Sequence, residues 1–162
     1  MTYDLDGGTS STAQLSYSNL KAGTPTPRIE NPTKEGYSFI GWVPEVADTV
    51  TENANYVAQW EPDSYTVSYS VDGDVPEGYT APANATVVHG NDYTVEAAPE
   101  NQTGTKDGVP GTYSFEGWYD GTTIVTSLTD VTGNKALTGV WTFTPDSYTV
   151  SYSVDGDVPE GY

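Results

Sequence analysis

The 162-residue chain has no cysteine. A disulfide framework, a thiol nucleophile and a cysteine-ligated metal are therefore excluded. Histidine occurs once, as His89, which excludes a His-rich metal site. Basic residues are scarce: 5 Lys and Arg stand against 23 Asp and Glu, giving a formal net charge of −18 and a pI near 4.1. A chain this acidic is repelled by nucleic-acid phosphates and anionic lipid, so neither is an expected partner. No apolar run reaches the roughly 20 residues of a membrane-spanning helix. The N-terminus lacks the charged-then-apolar start of a signal peptide, so the signal of an exported parent would lie outside these residues.

Aromatic residues, by contrast, are plentiful: 13 Tyr, 4 Trp and 3 Phe. Gly (17) and Pro (11) punctuate every stretch, with abundant Thr and Val between them. This is the usage of short strands joined by tight turns, and a disordered acidic tail would lack the aromatics.

The strongest pattern is internal. Pro62–Tyr79 and Pro145–Tyr162 are identical over 18 residues at an offset of 83. A period this long marks a tandem array of small domains rather than a solenoid. A weaker repeat relates Tyr3–Gly7 to Tyr69–Gly73, Tyr37–Trp42 to Tyr113–Trp118, and Tyr56–Trp60 to Leu137–Trp141. The expected organisation is two related modules, 1–62 and 63–145, with 146–162 the first strand of a further repeat. The expected fold is mainly β, with α+β as the alternative. Tyr65, Val67, Tyr69 and Val71 alternate with hydroxyl residues, a period of two with one apolar face. Short helices are expected at most around Thr12–Leu20 or Thr123–Asp130.

Modules of about 60–80 residues bury barely enough apolar surface to fold alone, so the aromatics must supply the core. Phe39, Trp42 and Trp60 are the expected core of the first module, and Phe115, Trp118 and Trp141 that of the second. The glycine of each Gly-Trp pair, Gly41 and Gly117, is expected to permit a bulge or a close backbone approach.

At this point a family resemblance emerges. LDGGT at Leu5–Thr9, Pro25, Pro27, Pro32, KEGYSFIGW at Lys34–Trp42 and NYVAQW at Asn55–Trp60 resemble the Listeria–Bacteroides repeat, or internalin B-repeat, over residues 2–61. The second module is similar to the SHIRT tandem repeats of Gram-positive surface adhesins. The carriers are SYTVSYSV at Ser64–Val71, GTYSFEGW at Gly111–Trp118 and LTGVWTFTP at Leu137–Pro145. The resemblance implies end-to-end β-grasp, ubiquitin-like modules in a cell-wall stalk that projects a separate binding domain outside the bacterium. It brings no catalytic residues.

The residues themselves point the same way. Asp4, Asp6, Asp72, Asp74 and Asp120 sit at turns, where solvated carboxylates are ordinary, and no enzyme is expected. His89 precedes a turn without a Ser or Cys motif and reads as a surface histidine. Asp72-Gly73-Asp74 and Asp155-Gly156-Asp157 lack the spacing of a calcium loop and read as acidic-flanked turns. No metal or cofactor is expected. A Lys–Asn crosslink using Lys106, Lys135 or Asn134 is disfavoured by the four lysines' Gly-rich surroundings. Tyr79, Tyr93 and Tyr119 are the candidate ligand aromatics for the rival function, a binding module for carbohydrate or host protein. The partners expected are adjacent repeats of the same chain, with a host protein or glycan for the whole adhesin.

The repeated strand raises one further expectation. Tyr148, Val150, Tyr152 and Val154 form an apolar edge without a module beneath it, while Tyr3 lacks the lead-in seen at Ser64–Val67. Pairing of 146–162, between chains by strand exchange into a first module or by folding back onto the second, is favoured over a free tail.

Overall fold

A computed structural model describes residues 1–161. Its strands are β1 (Thr2–Asp4), β2 (Tyr37–Val43), β3 (Asn55–Pro62), β4 (Ser64–Gly73), β5 (Ala85–Val88) and β6 (Tyr93–Thr94). They continue with β7 (Gln102–Lys106), β8 (Val109–Asp120), β9 (Thr123–Ile124), β10 (Ser127–Leu128) and β11 (Lys135–Pro145). Among the described residues there is no helix, so the fold is mainly β. β1, β2 and β3 form one sheet in the order β1-β3-β2. A larger sheet runs β5-β4-β11-β8-β7 with β9 added to β8, and β6 and β10 pair separately.

Both large sheets follow one plan. The first strand lies parallel to the last, Tyr3 beside Tyr56 in β1–β3 and Tyr69 beside Leu137 in β4–β11. The last strand also pairs antiparallel with the Gly-Trp strand, β2 or β8. Each Gly-Trp strand carries a bulge: Ile40 is skipped between Phe39 and Gly41, and Glu116 between Phe115 and Gly117. The extra residue inverts the alternation of faces. Residues three apart then share a face, and Phe39 stacks edge-on against Trp42 at 5.2 Å, as Phe115 does against Trp118 at 5.0 Å. Gly117, at φ +149, occupies a conformation that a side chain rarely adopts.

The same aromatic constellation completes each sheet. Phe39 meets Trp60 at 5.5 Å and Tyr3 meets Trp42 at 4.9 Å; Phe115 meets Trp141 at 5.2 Å and Tyr69 meets Trp118 at 4.8 Å. Edge-to-face contacts suit the ring quadrupoles and add about 0.5–1.5 kcal/mol each beyond burial. In the larger sheet Trp118 and Trp141 are buried, 2% and 1% exposed, with Val67, Leu137 and Val131. Phe115 is packed against this cluster at its margin.

The smaller sheet behaves differently. Phe39, Trp42 and Trp60 are half-buried, while Tyr3, Val50, Tyr56 and Ala58 are the buried apolar residues. Three strands cover less area than six, so the large rings rim this core and the strand-centre residues fill it. Trp60 keeps a polar tie, its Nε1 donating to the Leu5 carbonyl at 3.1 Å.

Two expectations are corrected here. The segment around Thr12–Leu20 is extended, not helical: Ser16 bridges Thr2, and Tyr3 N donates to the Leu15 carbonyl at 2.8 Å. Its backbone groups serve β1 and are unavailable to a helix. Thr123–Asp130 holds β9 and β10, drawn to β8 and β6. A β-grasp wraps its sheet around a helix, and the described residues contain none; loops and two-residue strands fill that stretch instead.

The tail stands apart from these. β4 is flanked by β11 on one side and β5 on the other. Its 83-residue-offset copy, Ser147–Gly156, forms no strand, and Tyr148 and Tyr152 are 76% and 93% exposed. Within one chain the tail does not reach the β4-like position beside β11. To lie parallel beside β11 the tail would return to Lys135, about 33 Å away at the strand rise. The chain from Pro145 to Tyr148 reaches about 10 Å. The slot beside β1 is not free either, because Leu15–Tyr17 occupies it, Tyr17 N donating to the Met1 carbonyl at 2.9 Å.

Candidate functional site: the junction of the two sheets

β3 ends at Pro62 and β4 begins at Ser64, so Asp63 alone separates the two sheets. Proline lacks a backbone donor and fixes its own φ, which ends the first ladder at this point. Asp63 then bonds to both sides. Its N–H donates to the Gly36 carbonyl at 2.9 Å, and its carbonyl accepts from His89 N at 2.8 Å. Its carboxylate Oδ1 accepts from Ser38 Oγ at 2.8 Å. Gly36 and Ser38 belong to the entry of β2, and His89 to the exit of β5.

The His89 ring fills the remaining space. Tyr65 Oη lies 3.2 Å from Nδ1, and the ring is 5.8 Å edge-on from Tyr37 and 5.9 Å from Tyr65. Gly36 is required beneath it. Its φ is +71, and a Cβ there would come within 2.1 Å of Nε2. The Lys34 ammonium sits 4.7 Å from the Tyr37 ring centroid, a cation–π contact. Three backbone or carboxylate bonds to Asp63 and one aromatic contact across the junction, His89 on Tyr37, thus flank a one-residue linker. The arrangement holds orientation; it presents no nucleophile–base pair.

His89, read from sequence as a surface residue, is half-buried at this junction. The reason is pairing: Ser64 lies opposite Val88 in the β4–β5 ladder, which brings His89 beside Asp63. Without that register, neither His89 nor Gly36 carries a signal; only Pro-Asp-Ser was visible.

The candidate ligand aromatics do not converge. Tyr79 packs edge-on against Trp141 at 5.0 Å, and burial raises its pKa. Tyr93 bonds the Tyr69 hydroxyl at 3.1 Å, and burial, then that hydrogen bond, pushes its pKa up to about 12. Tyr119 donates to Glu116 at 3.3 Å, and its pKa is raised by partial desolvation, then by that carboxylate. Among the described residues no aromatic contact joins any two of the three.

The acidic turns are likewise occupied. Asp72 Oδ1 accepts from Gly73 N at 2.7 Å, and Asp74 pairs with Lys106, whose pKa that hydrogen bond raises. Lys135 pairs with Asp120 at 2.8 Å, and the Asn134 side-chain Oδ1 accepts from Thr66 N at 2.8 Å. Among the described residues no group of three or more His, Asp or Glu is placed to hold a metal ion.

Comparisons with known proteins add kinship. Two proteins of Evansella cellulosilytica are similar to this chain. One, described as a membrane protein, is 29% identical over 145 residues, covering 82% of this chain and 19% of its own length. The other, described as a Gly-rich membrane protein, is 27% identical over 169 aligned positions, covering 96% and 17%. The chain thus spans less than a fifth of these relatives. Among solved structures, SHIRT domains 3-4 of a streptococcal cell surface protein align with 21% identity and a TM-score of 0.42, covering 90% of this chain and 98% of that one. Residues 1–60 match the family model of the Listeria-Bacteroides repeat domain, over the stretch where the motifs from Leu5 to Trp60 carry that resemblance.

Proposed function

We propose that this chain is a spacer region of a bacterial cell-surface adhesin. Two modules, 1–62 and 63–145, hold a distal binding domain away from the wall, and 146–162 opens a further repeat. The junction carries the reading: a one-residue linker, capped by Pro62 and bonded to both sheets through Asp63, restrains the angle between successive modules. The Pro-Asp-Ser sequence recurs at 145–147, and Asp146 N donates to the Pro110 carbonyl at 2.9 Å as Asp63 N does to Gly36. A repeated short linker converts tandem modules into a semi-rigid rod. The charge of −18 keeps neighbouring rods apart and soluble. The role is architectural rather than enzymatic, and the first partners are neighbouring repeats.

Pulsed electron-spin distance measurements between labels on β2 and β8 test the rod. A single narrow distance supports it, and a distribution as broad as that of a free linker overturns it. Protease shaving of intact cells tests location: the repeats should be released into the medium, and retention inside the cell would refute the surface reading.

A further inference from the structure

The two Gly-Trp strands share a bulge and a ladder, but only one of them is covered on its second edge. β8 pairs with β7 along its first half and with β9 at Tyr119 and Asp120. Val125 N also donates to the Trp118 carbonyl at 2.8 Å. Ile124 lies against Gly117, where a Cβ would come within 2.9 Å of its Cγ2. In the first sheet this cover is missing. Among the described residues β2 pairs with β3 and with no other strand, and no loop N–H reaches the Trp42 carbonyl. A Cβ at Gly41 would meet no atom within 4 Å outside its chain neighbours. Trp42 is half-buried where Trp118 is buried, and Ile40 and Val43 beside it are 62% and 56% exposed.

An open groove of about 440 Å³ lies at this place, lined by Gly41 and Trp42 of β2 and by Arg28 and residues 45–48. Its loop wall is braced. Arg28 Nη2 donates to the Val46 carbonyl at 3.2 Å and to Asp48 Oδ1 at 2.9 Å. An unpaired strand edge flanked by apolar side chains is a template for one more strand.

We infer that the β2 edge at residues 41–43 is a docking site for an extended, basic peptide segment of a partner protein, added as a strand in the place that β9 holds on β8. The second sheet sets the apolar requirement: a β-branched aliphatic residue at the Ile124 position covers Gly41, and the next residue's N–H serves the Trp42 carbonyl. Charge sets the rest. Glu45 and Asp48 line the groove, Arg28 is already committed to Asp48, and the chain carries −18. A second copy of this chain brings the same −18 to the contact and is repelled, whereas flanking lysines or arginines are attracted. The site uses neither Asp63 nor His89 and is independent of the spacer role.

The test uses the whole chain and a synthetic peptide of residues 121–126 with two lysines added at each end. Amide and indole chemical shifts of the ¹⁵N-labelled chain report where it binds. Saturable shifts centred on residues 40–48 and the Trp42 indole are expected. An Ile124→Asp peptide should bind at least about tenfold more weakly, because it sets a carboxylate against the indole. Replacing the added lysines by glutamates should weaken binding by a similar factor, about tenfold. Ala47→Trp in the chain, at an exposed position on the groove, should abolish the shifts and leave the melting temperature unchanged. An unperturbed spectrum at millimolar peptide would overturn the inference, as would shifts centred on other residues or equal binding of the Ile124→Asp peptide. Shifts of residues 40–48 on raising the chain concentration alone would seat a second copy there, and equal shifts with maltohexaose would seat a glycan; either result overturns the peptide reading.

Discussion

At the scale of single residues, the two sheets share a constellation but not its burial. Trp118 sits at 2% exposure among Tyr69, Phe115 and Leu137, whereas its counterpart Trp42 is half-buried. Truncating Trp118 to Ala should cost about 3–5 kcal/mol through lost contacts and a cavity. Trp42→Ala should cost distinctly less, because part of its surface already faces water. Urea unfolding followed at separate probes for each sheet measures both. Tyr93 supplies a pH signature. Its pKa in the folded chain is raised to about 12, so its stabilising contribution is intact below the unfolded value near 10 and is lost as pH rises toward 12. Tyr93→Phe should flatten the alkaline loss of stability in that window, and melting curves from pH 9 to 12 would show it.

At the scale of elements, the junction and the tail make opposite predictions. Gly36 has positive φ and no room for a Cβ beneath His89. Gly36→Ala should therefore destabilise by about 1–3 kcal/mol and displace His89, broadening the distance distribution between the sheets. His89→Ala should broaden that distribution with little effect on the unfolding of either sheet alone, because the ring lies between them and outside both cores. Beyond Asp146, whose N donates to the Pro110 carbonyl, the tail has no such hold. Removing residues 147–162 should leave the melting temperature and the monomeric mass of the wild-type chain unchanged, since β4 already lies between β11 and β5. A lowered melting temperature would mean that the tail pairs within its own chain after all.

At the scale of the whole molecule, charge dominates. Of the 5 basic residues, Arg28, Lys34, Lys106 and Lys135 are each committed to an aspartate, which leaves most of the 23 acidic groups facing water without a counter-charge. Self-repulsion then opposes compactness and is screened over about 10 Å at 0.1 M salt. Raising NaCl from 0.01 to 0.5 M should raise the melting temperature and leave the chain monomeric; a fall in melting temperature would indicate that the four ion pairs outweigh the repulsion.

What the sequence determined by itself is what depends on local pattern. The strict alternation at Tyr65–Val71 dictates a strand with one apolar face. The Gly-Trp pairs pointed to a bulge or a close backbone approach, and the strand register shows the bulge, which lets Phe115 and Trp118 share a face. The Pro-Asp-Ser repeat marked the linkers, and the absence of Cys and the single His closed off whole classes of chemistry. Tertiary structure decided what depends on pairing. Thr12–Leu20 became extended because β1 takes up its backbone bonds. The Trp42 and Trp60 rings stayed at the rim because three strands shelter less area than six. His89 entered the junction only through the β4–β5 register, which no local spacing encodes. The clearest case is the repeated 18-residue segment: one sequence, buried as β4 between two neighbours and exposed at 147–156 with none. Strand propensity is identical in the two copies, so the difference lies in pairing: β11 and β5 flank Ser64–Gly73, and no described strand pairs with 147–156.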